Sequence, residues 1–173
     1  NVKREQHATL GDKSLIVMDH ELSLWLRYLL GDIQGALQQA NALSVDASIV
    51  GGFFKAARSY MVDALIRLAI WPAESARKQK KLLRQINNDL KKLKGWARSN
   101  PANFRNKYLL VKAEHIRVMG HDFDAHSLYD ESISLAAENG FVHEQALANE
   151  LCGAMHMAAG RTTIGTPYLA QAR

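Results

Sequence analysis

Cysteine and histidine side chains stand at a spacing suited to nucleophilic catalysis near the end of the chain. Cys152 and His156 lie one helical turn apart, so the imidazole could take a proton from the thiol. Gly153 and Ala154 follow the cysteine directly, and small residues of this kind favour a close contact between two helices. We therefore predict that Cys152 is a buried, inert thiol rather than a nucleophile.

A second group of side chains offers atoms that could bind a metal within twelve positions: His115, His121, Asp122, Asp124 and His126. Zinc needs three or four ligands that converge on one point. His115 and His121 do not share a helical face, and Gly120 separates the helices that carry them. We therefore expect no metal here, and expect Asp122 or His121 to cap the helix that starts there.

The tetrapeptide His20-Glu21-Leu22-Ser23 contains the His-Glu-Leu triplet that often opens the phosphate-accepting segment of histidine kinases. The Arg-Thr-Pro that usually follows is replaced by Ser23, Leu24 and Trp25, so we expect a solvent-facing helical histidine instead. No Gly-x-x-x-x-Gly-Lys-Ser/Thr loop is present to hold a nucleotide phosphate. The sequence thus predicts no catalytic residue, no cofactor and no metal, and we expect this segment not to be an enzyme.

One segment concentrates the positive charge of the chain. Between Arg77 and Arg98, nine basic residues stand against one acidic residue, Asp89, a balance of +8, whereas the whole chain carries +5. The nine basic residues form the candidate interaction surface, the basic face, and Asp89 is expected to be the one acidic residue on it. The basic residues are Arg77, Lys78, Lys80, Lys81, Arg84, Lys91, Lys92, Lys94 and Arg98. The opposite face of the same helix is apolar: Leu82, Leu83, Ile86, Leu90, Leu93 and Ala97.

Three classes of partner are attracted to a basic face. Nucleic-acid binding often adds stacking aromatic residues, and only Trp96 is available, in a position expected to serve packing. Binding to a membrane surface needs a free apolar face, which the fold itself requires here. The apolar run from Met61 to Trp71 contains Asp63 and Arg67 and does not span a membrane. We expect either a solvated face or a surface that docks an acidic neighbouring domain.

The elements that carry these side chains are predicted to be helices alone. Helix formers dominate, and no alternation of apolar and polar residues persists as in a strand. A small residue follows a helix-ending glycine by five positions in three places: Gly31 to Ala36, Gly120 to Ala125 and Gly160 to Gly165. Five residues cover a tight turn and one turn of helix, so the small residue lies where two antiparallel helices cross. Repeated, this is the unit of a tetratricopeptide-like solenoid.

Apolar periodicity predicts about eight helices. The first has a stripe of Leu15, Met18, Leu22, Trp25, Leu26 and Leu29 and ends at Gly31, and Asp32 is placed to cap the second. Gly140 is expected to take the left-handed conformation, with Phe141 packing back. The predicted ranges are Leu15–Leu30, a short helix ending near Leu43, Phe53–Ile70 stopped by Pro72, Ala73–Arg98, Pro101–Met119, His121–Glu138, His143–Ala159 and Thr163 onward.

From Lys81 onward the residues match a family pattern most strongly at Phe104–Gly120 and Asn139–Leu151. The matching stretches are Lys81-Leu-Leu-Arg-Gln-Ile, Gly95-Trp96-Ala97, Asn103-Phe-Arg-Asn-Lys-Tyr-Leu-Leu-Val111, Ala113-Glu-His-Ile-Arg-Val-Met-Gly120, Ala136-Ala-Glu-Asn-Gly-Phe141 and Glu144-Gln-Ala-Leu-Ala-Asn-Glu-Leu151. They resemble the helical-repeat segment of very large bacterial and fungal signalling proteins. The resemblance implies a serine/threonine-kinase-like domain and an AAA-type ATPase module before this segment. It implies a GAF sensor and a histidine kinase, or another output domain, after it.

The combined prediction is an all-α, TPR-like right-handed solenoid of antiparallel helical hairpins over residues 15–173. Residues 1–14 are expected to be a linker or the remnant of a preceding helix, in a fragment cut at both ends from a longer protein. Its predicted role is a noncatalytic, cytoplasmic scaffold that couples the ATPase/kinase-like module to the sensor–histidine kinase output. The expected partners are flanking domains of the same polypeptide or a regulatory protein, without membrane insertion and without nucleic acid.

Two alternative functions also fit the sequence. The chain could be an independent TPR module that binds a peptide on its concave face, for which Asn106, Lys107 and Arg117 are the nearest candidates. The basic helix over residues 77–98 could also contact nucleic acid. The interval from Gly120 to Gly160 is forty residues, longer than the usual ~34 of a tetratricopeptide repeat, so the repeats are degenerate.

Overall fold

A computed structural model describes residues 21–42 and 53–173. Within them the chain forms eight α-helices and no strand, which confirms the all-α prediction. They are α1 (described over 21–29), α2 (Ile33–Ala42), α3 (Phe53–Ile70), α4 (Ala76–Ser99), α5 (Pro101–Val118), α6 (Asp122–Glu138), α7 (Val142–Ala158) and α8 (Thr162–Gln171). The predicted segment 1–14, Leu15, Met18 and His20 lie outside the described residues.

The joints between helices follow the predicted signals. A 3₁₀ turn over Trp71–Ala73 contains Pro72 and ends α3. Gly31, Gly120, Gly140 and Gly160 have φ of +76°, +89°, +74° and +73°. After α6 this left-handed glycine lets the amide of Phe141 donate to the carbonyl of Ala136 over 2.8 Å, which closes the helix end as expected. Asp32 accepts a hydrogen bond from the amide of Gly35, so it caps α2.

The helices stack as consecutive antiparallel hairpins. Each helix from α2 to α8 packs against the next one, and α3 contacts α5 as α5 contacts α7. Helices α3, α5 and α7 therefore form one row, while α4, α6 and α8 pack between or beside them as a second row. This is the arrangement of a TPR-like solenoid, in which neighbouring repeats bury one continuous core.

The three small residues of the five-position signature lie at helix crossings. Ala36 and Ala125 are completely buried, and Gly165 is buried against α7. A Cβ atom on Gly165 would lie 2.9 Å from the carbonyl oxygen of Gly153, too close to fit without a shift of the backbone. The spacing rule thus located all three crossings.

The crossing at Ala125 gives the first testable prediction. Ala125→Leu adds three carbons to a fully buried position, and we expect the free energy of unfolding to fall by about 1–3 kcal/mol. Chemical denaturation measures it, with Ser127→Leu on the exposed side of α6 as the matched control. Equal stability of the two variants would place Ala125 outside the packed crossing.

The predicted stripe of α1 was wrong. Leu22, Leu26 and Leu29 are 57%, 47% and 40% exposed, whereas the helix buries Leu24, Trp25 and Tyr28. Two apolar stripes overlap on this helix and share Trp25. The aromatic stripe turns inward because large aromatic side chains bury more apolar surface than the competing leucines.

Candidate functional site

The basic face lies on α4, the longest helix within the described part of the chain. Its 24 residues extend over about 36 Å. Leu82, Ile86, Leu93 and Ala97 are buried against α3 and α5, as predicted from periodicity. All nine basic residues of the face are exposed. The apolar side of α4 is thus used by the core, and the charged side is presented along the whole helix.

Contacts with described residues tie two of these cations to the protein itself. The Nζ atom of Lys78 lies 3.1 Å from a carboxylate oxygen of Glu74, at the start of the helix. The Nζ atom of Lys92 donates to the hydroxyl of Tyr60 over 2.6 Å and lies 4.1 Å from the centre of that ring. Lys92 therefore anchors α4 on α3. The summed positive charge of the remaining face gives a potential that attracts anionic surfaces.

Trp96 serves packing, as the sequence predicted. Its ring lies between Tyr60, at 5.6 Å between ring centres, and Phe104, at 6.1 Å. Both contacts are tilted, the geometry that aromatic side chains prefer in a core. The indole is therefore occupied by protein neighbours and does not stand on the basic face as a stacking platform.

Asp89 was assigned to the charged side of α4, and this was wrong. The residue is only 7% exposed, and its Oδ2 atom is buried without a hydrogen-bond partner. It faces α3, where Arg67 holds Asp63 through two hydrogen bonds of 2.6 and 2.8 Å. Burial, and then the negative charge of Asp63, raise the pKa of Asp89 to about 8. The basic face itself therefore carries no carboxylate from Asp89.

Two of the three residues considered for a peptide-binding groove are buried inside the fold. Lys107 is fully buried, with its Nζ atom 3.4 Å from Glu144 and 3.7 Å from the centre of the Phe141 ring. Asn106 is also buried. Arg117 makes two hydrogen bonds to Glu114, at 2.9 and 2.8 Å. Lys107 and Asn106 are therefore too buried to line a peptide groove, and Arg117 is held by Glu114 on its own helix.

One histidine of the group considered for a metal, His126, meets the Cys152–His156 pair in the structure. Among the described residues, the histidine, cysteine and carboxylate atoms that converge belong to His126 on α6 and to Cys152 and His156 on α7. His121 is exposed at the start of α6 and makes no side-chain cap, and Asp122 pairs with Arg161 at 2.9 Å, so the predicted caps were wrong. Sequence spacing missed this cluster because its members come from two helices.

Hydrogen bonds connect the cluster to its surroundings. Arg161 Nε donates to Nδ1 of His156 over 3.0 Å, so Nε2 of His156 carries the proton and donates to Nδ1 of His126, also over 3.0 Å. Cys152 is buried, and burial raises the pKa of its thiol to about 12. The predicted burial of Cys152 is confirmed. Its inertness stays a prediction, which the raised pKa supports because a nucleophilic thiol needs a lowered one.

Comparison with known proteins supports the helical-repeat interpretation. The sequence model of a family described as CHK1-like, TPR repeats, matches residues 52–159, from the start of α3 to the end of α7. No curated protein and no solved structure matches significantly. None of the described helices is both long enough and apolar enough to cross a membrane. Because the match covers more than half of its residues, this chain belongs to the family of CHK1-like TPR repeats.

Proposed function

We propose that this chain is a noncatalytic scaffold that binds a protein partner through the basic face of α4. The observation that carries the proposal is the exposure of all nine basic side chains on a helix whose apolar side is already buried. TPR-like repeats stack into extended surfaces that contact other proteins. An acidic protein surface is the partner whose charge complements this face.

The proposal places the scaffold inside a large signalling protein. The resemblance described above implies an ATPase/kinase-like module before the repeats and a sensor–histidine kinase output after them. In this arrangement a flanking domain, or a regulatory protein, docks on α4, and the stacked helices fix the orientation of one module relative to the other. A cytoplasmic location belongs to the same proposal and agrees with the single cysteine of the chain.

Contact with nucleic acid is the second candidate function, since the same charge attracts phosphates. The packing of Trp96 between Tyr60 and Phe104 favours the protein partner, because it removes the one aromatic ring of α4 from base stacking. Insertion of α4 into a membrane surface is disfavoured because its apolar residues are in the core.

Charge reversal on α4 tests the proposal. Lys91→Glu with Lys94→Glu should leave the free energy of unfolding nearly unchanged, because both side chains are exposed. We expect the same change to weaken binding to the separately purified flanking domains by about tenfold or more at low salt. The difference should shrink as salt rises.

A charge-matched pair of variants separates position from net charge. Lys91→Gln with Lys94→Gln lowers the charge of the chain by the same amount as Thr162→Glu with Thr163→Glu at the exposed start of α8. Only the α4 pair should weaken binding. If the α4 variant no longer binds duplex DNA but still binds the flanking domains, the basic face is a nucleic-acid site instead. No change in either would reduce the basic face to a solubilising surface.

A further inference from the structure

The cluster between α6 and α7 has the donor set and the shape of a metal site, independently of the proposed scaffold role. We propose that His126, Cys152 and His156 bind a thiophilic transition-metal ion, with Zn²⁺ as the expected occupant, and that the ion clamps α6 to α7. The three ligand atoms are Nδ1 of His126, Sγ of Cys152 and Nε2 of His156.

The spacing of these atoms fits one ion. Nδ1 of His126 lies 3.0 Å from Nε2 of His156 and 3.8 Å from Sγ of Cys152, and all three atoms lie within 4.8 Å of one another. Around tetrahedral zinc, with bonds of about 2.0–2.3 Å, ligand atoms are separated by roughly 3.3–3.7 Å. Small side-chain rotations bring the observed distances into that range.

The chemistry of the donors also favours zinc. Two imidazoles and one thiol form a mixed nitrogen–sulfur set, which suits borderline-soft zinc better than magnesium or calcium. Cys152 and His156 are four residues apart on α7, so they project from one face of that helix. Three protein ligands leave one tetrahedral position for water.

A carboxylate supports the site on its outer side. Asp130, one turn after His126 on α6, lies 3.5 Å from Nε2 of that histidine. This contact places the proton of His126 on Nε2 and leaves the lone pair of Nδ1 directed at the cluster. The hydroxyl of Tyr168 on α8 donates to the other oxygen of Asp130 over 2.6 Å and holds the carboxylate in place.

The hydrogen bond from Arg161 opposes metal binding by His156, because it keeps the ring proton on the nitrogen that would bind the ion. Its Nε atom donates to Nδ1, so Nε2 carries the proton in the structure described above. When a metal binds Nε2, that proton moves to Nδ1, and Arg161 turns to Asp122, to which it is already bonded at 2.9 Å. The thiol of Cys152 releases one proton to solvent as its sulfur coordinates the ion, so binding liberates one proton in total.

Cobalt and zinc titrations of the purified, chelator-treated chain test the site. We expect one Co²⁺ per chain, with a thiolate-to-cobalt charge-transfer band and the visible bands of tetrahedral cobalt, which Zn²⁺ removes by displacement. Zinc at about a hundredfold excess over its Kd should raise Tm by roughly 5–10 °C. Cys152→Ala and His156→Gln should abolish both effects, and circular dichroism should show that each variant keeps its helices.

Two further variants distinguish a specific metal site from adventitious binding of the ion. Asp130→Asn should weaken zinc binding about tenfold, and Arg161→Gln should strengthen it because Nδ1 of His156 becomes free to carry a proton. His143→Gln, at an exposed histidine near the start of α7, is the matched control and should change nothing. Failure to retain a metal, retention of the charge-transfer band in Cys152→Ala, or equal loss in His143→Gln would overturn the proposal.

Discussion

Glu144→Gln should lower the free energy of unfolding by about 3–5 kcal/mol at pH 7, the cost of breaking a buried ion pair by removing one partner. Glu144 lies 3.4 Å from the Nζ atom of Lys107, whose side chain is 0% exposed. The same ammonium donates to the carbonyl of Asn103 over 3.2 Å and lies against the ring of Phe141. Neither the carbonyl nor the ring carries a full negative charge, so the variant takes the carboxylate of Glu144 away from a buried ammonium.

The pH dependence of this loss has a definite sign. Burial already lowers the pKa of Lys107, and Glu144 opposes that shift. Without Glu144 the pKa of Lys107 in the folded state falls further below its value in the unfolded chain. The destabilisation should therefore shrink as pH rises from the folded-state pKa of Lys107 in the variant to its folded-state pKa in the natural chain, because over that range Lys107 loses its proton in the folded variant first. Urea unfolding at pH 7 and near pH 9.5 measures the difference.

An exposed ion pair supplies the control. Arg105 and Glu131 lie 2.5 Å apart with side chains that are about half exposed, and Glu131→Gln should cost less than about 1 kcal/mol. Lys107→Met combined with Glu144→Leu should recover most of the stability lost by Glu144→Gln, since a well-packed apolar pair often replaces a buried ion pair without loss. Equal effects of Glu144→Gln and Glu131→Gln would contradict the burial of the Lys107–Glu144 pair.

Local signals in the sequence were sufficient for the helices and their joints. Phe53–Ile70 was predicted with its observed bounds because an apolar run ends at Pro72. Gly120, Gly140 and Gly160 each end a helix with a positive φ. The five-residue interval to Ala125 identified a crossing because turn length and helical pitch are fixed by backbone geometry rather than by distant contacts.

The chemistry inside the stack depends on contacts that local patterns do not encode. By residue type Lys107 is a candidate for peptide binding, yet it follows Phe104 by one turn and precedes Leu110 by another, which places it in the buried stripe of α5. His126 and Cys152 are 26 positions apart and meet because α6 packs on α7. The rotation of each helix about its own axis is set by this packing, so residue type alone assigned such polar side chains to the wrong surface.

Helix packing, not residue type, also decides the position of Asp89. Its burial predicts how the stability of the stack depends on pH. It follows Ile86 by three residues and precedes Leu93 by four, so it lies in the apolar stripe of α4 despite its charge. Burial, with Asp63 beside it, raises its pKa to about 8, against about 3.9 in the unfolded chain. The folded state therefore holds a proton on Asp89 at neutral pH that the unfolded state releases.

Stability from this proton is fully present below the unfolded pKa and is lost as pH rises through about 8. One proton corresponds to about 1.4 kcal/mol per pH unit, so the contribution of Asp89 should fall by up to about 2.5 kcal/mol between pH 6 and pH 8. Asp89→Asn keeps the size of the side chain and removes its titration. The variant should gain stability relative to the natural chain as pH rises, in urea unfolding measured at pH 6, 7, 8 and 9.

The difference between the two chains isolates Asp89 from other groups that titrate in this range. His115 and His156 have lowered pKa values, chiefly through burial, and favour folding as pH rises, but both are present in each chain and cancel. Arg67 and Lys92 favour the charged form of Asp89, and they oppose the shift without reversing it. Asp124→Asn, at an exposed carboxylate on α6, should reproduce the natural pH profile. A parallel profile for Asp89→Asn would mean that Asp89 is already ionised in the folded stack.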